Sequence, residues 1–439
     1  MLSSGQGDGG GMDSDAEGEA GMQIRAELAG RINFACQQND VPILRDLSLY
    51  NGTAEALGDL RVEIASEPGF IKSRSWHVDR LGSGEQLHLD DRRIALDGGV
   101  LWQLSEAITG TVTLRVVTGE AELARSEHDV ELLAGHEWGG VGSMPEMIAA
   151  FVTPNDPAVD RILKSASGHL EQFGLEAALD GYQSGSPQRA AYLLSAIWSG
   201  IGDLGLSYAT PPASFEQAGQ KIRTPSHIAD GGLATCLDLT VLFASCIEQA
   251  GMHPVVVFTH GHSFVGCWLQ DEQFAGVTVD DVTSLRKRLQ LREALFFETT
   301  LVTQQPVPKF NVAIKQGSTA LGEANDSDFE LAVDIRRARM QRIRPIPTGR
   351  EPEPAKERLT AEVAEDVIFQ SVSELIAHSG HVAADLEQLA AHGAHDIGVD
   401  GLGRVDVEDN DALGLPVAVQ PPDALHDTHG IPAGDSSGW

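Results

Sequence analysis

Cysteines, basic residues and long apolar runs are all scarce in this chain, and each scarcity excludes something. Four cysteines in 439 residues, Cys36, Cys236, Cys246 and Cys267, are too few for a disulfide framework, so a reducing compartment is expected. No apolar run approaches the ~18 residues of a membrane span. The first 21 residues have neither the basic start nor the apolar core of a secretory leader. The expectation is a soluble, cytoplasmic protein with no membrane partner. Lys and Arg number 31 against 64 Asp and Glu, a net charge of −33. Much of that sits at the ends: residues 1–24 hold five acids and no base, and residues 348–439 hold 18 acids against four bases. The middle is an ordinary acidic surface, which argues against generic nucleic-acid binding. A Walker-type glycine-lysine loop is absent too, so the chain has no nucleotide-driven motor.

What is present reads as an α+β protein. A hydrophobic content of 42% is that of folded globular chains. Residues 1–24 are Gly, Ser and acid, a disordered leader. Residues 25–140 carry short alternating runs, LRVEIAS (60–66), RRIALD (92–97), GTVTLRVVTG (110–119) and AELARSEHDVELLAG (121–135), which predict an antiparallel, immunoglobulin-like β-sandwich. Residues 143–205 switch to helical period, with Ser186 as N-cap and Pro187 as first helical residue of one helix and DPAVDRILKSASGHLEQF as its partner. The chemistry is expected in 206–347. Residues 348–439 read as an acidic, mostly disordered tail with one amphipathic helix at 360–378.

The informative stretch is residues 231–251, GGLATCLDLTVLFASCIEQAG. Its apolar residues lie on more than one helical face, the mark of a helix buried in the middle of a domain. Gly231 and Gly232 permit a sharp turn and Thr235 can cap the helix, so Cys236 falls in the first turn. There the unpaired N–H groups and the positive end of the dipole favour a thiolate, the form of sulfur that attacks. Strands are expected at MHPVVVFT (252–259), at HGHSFVGCWL (260–269), where His262 stands at the start, and at ALFFETTLVT (294–303), which carries Glu298. A carboxylate between aromatics and threonines is costly to bury without a partner, and a histidine on the neighbouring strand is the natural one. Cys236, His262 and Glu298 form a candidate triad. The histidine takes the thiol proton and later returns it to a leaving group, and the carboxylate fixes its tautomer.

Each assignment has a plainer rival. Cys236 could be a core cysteine, as free cysteines usually are, and Cys246, ten residues along the same helix, reads as core outright. Asp280 and Asp281 compete for the third position, but an acid directly before a helical run with bases downstream reads as a cap. Gln220 could donate to an oxyanion beside the Cys236 backbone N–H, or be a satisfied loop amide. His260, His262, Cys267 and Cys236 raise the question of zinc. There is no Cys-x-x-Cys pair, and His262 and Cys267 face opposite sides of one strand, so neither metal nor cofactor is expected. Arg336, Arg337, Arg339, Arg342 and Arg344 could meet phosphate or a partner domain, or form a solvated face paired with nearby acids.

The run GLATCLDLTVLFASCIEQAGMHPVVVF, followed by GHSFVGCWL and FFETT, resembles the transglutaminase-like branch of the papain-like cysteine enzymes. The likeness covers about 221–303. It implies a papain-like core, thioester chemistry on Cys236 with His262 and Glu298 in support, and a peptide or protein substrate. Two features depart from the family pattern: Glu298 stands where Asp is more usual, and residues 271–293 lengthen the interval from histidine to acid. More loosely, residues ~30–347, including GQKIRTP and DIRRARMQRIRPIP, resemble an uncharacterised bacterial domain family found at the front of large helicase or nuclease polypeptides, some linked to defence against phage or mobile elements. That likeness implies a helicase or nuclease partner. Two functions follow: a cysteine-dependent hydrolase or acyl transferase acting on amide bonds, or a catalytically inactive protein-interaction module of such a system.

Overall fold

Alternation of apolar and polar residues builds the first half of the chain. The computed structural model describes residues 21–348. Eight strands occupy 22–132: β1 (Met22–Leu28), β2 (Arg31–Ile32), β3 (Leu44–Asn51), β4 (Leu57–Glu67), β5 (Arg74–Leu81), β6 (Gln86–His88), β7 (Ile108–Thr118) and β8 (Ala121–Leu132). They form one sheet of order β1-β3-β6 and another of order β2-β8-β7-β4-β5. Leu60, Val62 and Ile64 of β4 and Val112, Leu114 and Val116 of β7 share a single apolar core with Leu47 and Leu49 of β3.

Two expectations are corrected here. The strand β1 starts at Met22, inside the stretch read as leader, because Met22, Ile24, Ala26 and Leu28 alternate with Gln23, Arg25 and Glu27 and pack on the shared core. Residues 92–97 do not form a strand and contribute only a bridge between Ile71 and Leu96. Asp97 instead accepts from the amides of Gly99 and Val100 and starts the short helix Gly98–Gln103. The rest of the leader, the acidic tail and the 360–378 helix lie outside the described residues.

The second half is a layered α+β arrangement around one helix. Helices Pro157–Gln172 and Pro187–Gly202 start alike, capped by Asp156 and Ser186 with proline in the first turn. They pack so closely that a Cβ on Gly200 would stand 2.8 Å from the Ile162 carbonyl oxygen. Short strands β9 (Glu137–Trp138), β10 (Ser207–Tyr208), β11 (Gln220–Lys221) and β12 (Leu233–Ala234) make two ribbons, β9 with β11 and β10 with β12. Strands β13 (Pro254–Thr259), β14 (His262–Trp268), β15 (Thr278–Val279), β16 (Ala294–Phe297) and β17 (Phe329–Asp334) form an antiparallel sheet of order β15-β17-β13-β14-β16.

Helix Cys236–Gln249 lies between this sheet and the two capped helices, and every residue from Cys236 to Ile247 is buried. An apolar surface all round is what such a position requires. Phe243 of this helix stacks on Trp198 and meets Phe297 edge-on, and Phe297 in turn meets Phe310. At the far end Arg339 grips Glu248 with both arms at 2.8 and 2.9 Å and donates to the carbonyls of Ala149, Val152 and Ile343. That arginine is a half-buried clamp, not part of a solvated face. Among the described residues no helix is long and apolar enough to cross a membrane.

Candidate active site

Cys236 is the first residue of its helix, held there by a reciprocal cap. The Thr235 hydroxyl accepts from the Asp238 amide at 3.2 Å, and Asp238 Oδ2 accepts from the Thr235 amide at 2.9 Å. The same buried carboxylate takes the Arg223 amide at 2.8 Å and its Nη1 at 2.6 Å. Just before this, Gly232 adopts φ +66° to close helix Pro225–Gly231, which lets one helix end and the next begin within a few residues. Gln220 joins the same cap, its Nε2 donating to Thr235 Oγ1 at 3.0 Å. One amide hydrogen of Gln220 therefore braces the residue next to the sulfur, while its Oε1 is buried without a hydrogen-bond partner.

His262 opens β14 directly after the Thr259–His262 turn, where Gly261 takes φ +66°. Its Nε2 lies 2.7 Å from Glu298 Oε2. Cys236 is the other group that acts on the charge of the ring. Burial opposes charge on the ring, but the hydrogen bonds and charges of Cys236 and Glu298 outweigh it and push the imidazole pKa up to about 10. Burial likewise opposes charge on Glu298, and the bonds from His262 and Thr300 overcome that, holding the carboxyl below its usual range.

The third element differs from its expected form. Strand β16 stops at Phe297, not Thr303. The Glu298 amide donates to the Ala313 carbonyl of helix Phe310–Ala320 at 3.0 Å, so its backbone leaves the sheet. Its Oε1 accepts from the Thr300 amide at 2.8 Å and the Thr300 hydroxyl at 2.7 Å, and residues 300–303 turn into a 3-10 helix. A carboxylate bonded to its own chain two residues on competes with strand pairing and ends it.

The sequence did not single out Tyr208. Strand β10 runs parallel to β12 with Tyr208 opposite Ala234, and the Ala209 amide donates to the Ala234 carbonyl at 2.8 Å. Tyr208 therefore lies abreast of the segment that enters Cys236. Burial, then the neighbouring Cys236, then the charge of Glu298, push the phenol up to about 12. Cys236 itself is 0% exposed, whereas Tyr208 is 44% exposed.

The rival residues take other tasks. Asp281 caps helix Val282–Gln290 by accepting from the Thr283 amide, and both it and Asp280 are exposed. Burial raises the thiol pKa of Cys246, pushes Cys267 up to about 12 and Cys36 up to about 11. Among the described residues, no group of three or more His, Cys, Asp or Glu side chains is placed to hold a metal ion. No family model matches this chain, and no curated protein matches it.

Proposed function

We propose that this chain is a cysteine-dependent hydrolase or acyl transferase acting at amide bonds, with Cys236 as nucleophile, His262 as acid and base, and Glu298 as the group that orients His262. The observation that carries the reading is the 2.7 Å contact from His262 Nε2 to Glu298, in a site whose cysteine is the first residue of a helix. The Cys236 sulfur adds to the amide carbonyl carbon. The His262 imidazolium gives its proton to the departing amine, and a thioester remains. Water or a second amine then attacks, His262 takes its proton, and the sulfur leaves as thiolate. The five-stranded sheet with its buried central helix fits a papain-like, transglutaminase-like core, and the paired sheets of residues 22–132 fit an immunoglobulin-like sandwich. A peptide or protein substrate, a cytoplasmic setting and a helicase or nuclease partner rest on the sequence resemblance.

A second reading, an inactive interaction module, is favoured by the complete burial of Cys236. Iodoacetamide labelling near neutral pH separates the two. The enzyme reading expects Cys236 to alkylate ahead of Cys36, Cys246 and Cys267, and to slow in His262→Ala. Equally slow labelling of all four would overturn it and leave the interaction module.

A further inference from the structure

Asp156, Glu216, Asp238 and Asp334 are the buried acids among the described residues. Asp156, Asp238 and Asp334 all accept hydrogen bonds, whereas neither carboxylate oxygen of Glu216 has a partner. Burying a carboxylate without a donor is costly, and the cost needs a return. The backbone nevertheless forces Glu216 into this place. It sits in the short turn Phe215–Ala218, entered through Ser214 at φ +54° and left through Gly219 at φ +86°. A Cβ on Gly219 would strike the Trp138 carbonyl oxygen, one on Gly140 would strike that of Gln217, and the Val141 amide donates to the Glu216 carbonyl at 2.7 Å. Over the carboxylate stands a loose cover. Oε1 is 3.7 Å from His260 Nδ1, beyond hydrogen-bond reach, and that side chain is 76% exposed. The His260 amide is fixed to the Asp328 carbonyl at 2.7 Å, so the ring can swing out while its backbone stays. Among the described residues no lysine or arginine pairs with Glu216. Arg31 reaches the same turn but spends its donors on the Ala218 carbonyl and Glu131.

We propose that Glu216 is the seat for a lysine ammonium group of a peptide substrate, on the residue of the reacting carbonyl or the one before it, and that the His260 ring swings aside to admit it. The inference rests on the reading of Cys236 as the nucleophile. The seat adjoins that site. Only Gly261 separates His260 from His262, so their Cα atoms lie within about 7 Å, a span that two residues of an extended peptide cover. Gln220, four positions after Glu216, donates to Thr235 beside Cys236. A single carboxylate oxygen faces the cover, which suits a compact ammonium with rotatable donors better than a guanidinium that takes both oxygens edge-on. Asp328 and Glu330 add negative charge beside the turn, and the chain as a whole is acidic, so a cation is drawn to it. The bound ammonium keeps its proton and takes no part in the bond changes at Cys236; its work is to position the carbonyl.

Active esters that differ in that one charge test this on the full chain. The p-nitrophenyl esters of acetyl-lysine and acetyl-lysyl-glycine carry the ammonium at the two positions, and those of acetyl-norleucine and acetyl-norleucyl-glycine are their uncharged partners. At one of the two positions the lysine ester should acylate Cys236 at least about tenfold faster than its partner, the scale of one charge-assisted hydrogen bond. In Glu216→Gln that ratio should collapse, and in His260→Ala, which removes the cover and keeps the seat, it should persist. Slow iodoacetamide labelling of Cys36, Cys246 and Cys267 reports an intact fold in each variant. Binding is read apart from acylation: acetyl-lysine methylamide should shift the His260 ring signals in NMR spectra of the unaltered protein and leave them in place in Glu216→Gln. Lysine and norleucine esters that react alike at both positions, or a lysine preference that survives in Glu216→Gln, overturn the ammonium seat alone. If no ester acylates Cys236, the nucleophile reading falls, and the His260 shift decides for or against the seat by itself.

Discussion

The Thr240 hydroxyl stands 3.3 Å from the Ser263 hydroxyl, joining the Cys236 helix to the strand that carries His262. The same oxygen donates to the Cys236 carbonyl at 2.8 Å and lies 3.5 Å from the Thr299 hydroxyl. Thr240 is one turn beyond Cys236, Ser263 follows His262, and Thr299 follows Glu298. Three buried hydroxyls thus couple the three elements of the site from beneath.

Thr240→Val keeps the shape and strands the Ser263 and Thr299 hydroxyls. A loss of stability of about 1–3 kcal/mol is expected from the unpaired buried groups, read by urea unfolding. Cys236 alkylation should slow as well, since the helix end is no longer tied to His262. A variant with unaltered stability and unaltered labelling would remove the hydroxyls from any role in holding the triad.

Glu298 is positioned from outside the sheet, by Gly317. A Cβ at Gly317 would stand 2.6 Å from the backbone N and Cα of Phe297. Only glycine lets helix Phe310–Ala320 approach closely enough for Ala313 to accept the Glu298 amide. Gly317→Ala should cost about 1–3 kcal/mol through overpacking and shift Glu298 away from His262. Thermal melting checks the first expectation. A fall in the His262 pKa, followed by NMR of the ring C–H signals, checks the second.

Cys236, His262 and the acid were legible because each stands at the end of a strongly patterned element. The helix is apolar on every face, and β13 and β14 are unbroken buried runs. Tyr208 had no such signal: a two-residue strand has no period, and its partner is remote in sequence. Asp238 was visible as the fourth letter of TCLD, three residues after the cap, but a single acid inside an apolar helix reads first as an exception to the face. The end of β16 was hidden because Glu298 and Thr300 decide it by side-chain bonds, while the threonine pair Thr299 and Thr300 suggests a continuing strand. The first strand, β1, was masked by the glycine-rich acidic text just before it.

The Asp238 carboxylate accepts three bonds, from Thr235 and from both the backbone and the side chain of Arg223, with the Arg223 arm partly exposed. It completes the cap on which Cys236 sits. Asp238→Ala should destabilise the fold by at least about 1 kcal/mol, the usual scale of a lost cap, and by more where Arg223 is left unpaired. Asp238→Asn restores the shape but not the charge, and should recover part of that loss. Equal stability of the two variants would mean that the ion pair with Arg223 adds nothing to the cap.

The charge state of His262 makes the last expectation, with its sign fixed by the direction of the shift. The imidazole pKa rises from an ordinary 6.5 to about 10 in the folded protein. Its stabilising contribution is therefore complete below about pH 6.5 and is lost as the pH climbs through about 10. Glu298 moves the opposite way, down from 4.5, so its contribution is present above that value and lost as the pH falls through the folded carboxyl's own range. The stability difference between the unaltered protein and Glu298→Gln, measured by urea unfolding, should be greatest between about pH 4.5 and 6.5 and shrink towards pH 10. Cys236→Ala should lower the His262 midpoint too, because the thiol is one of the groups that raise it. NMR titration of the ring separates the two contributions. A midpoint near 6.5 in the unaltered protein would show that neither partner holds the proton, and the acid role of His262 at the leaving amine would fall with it.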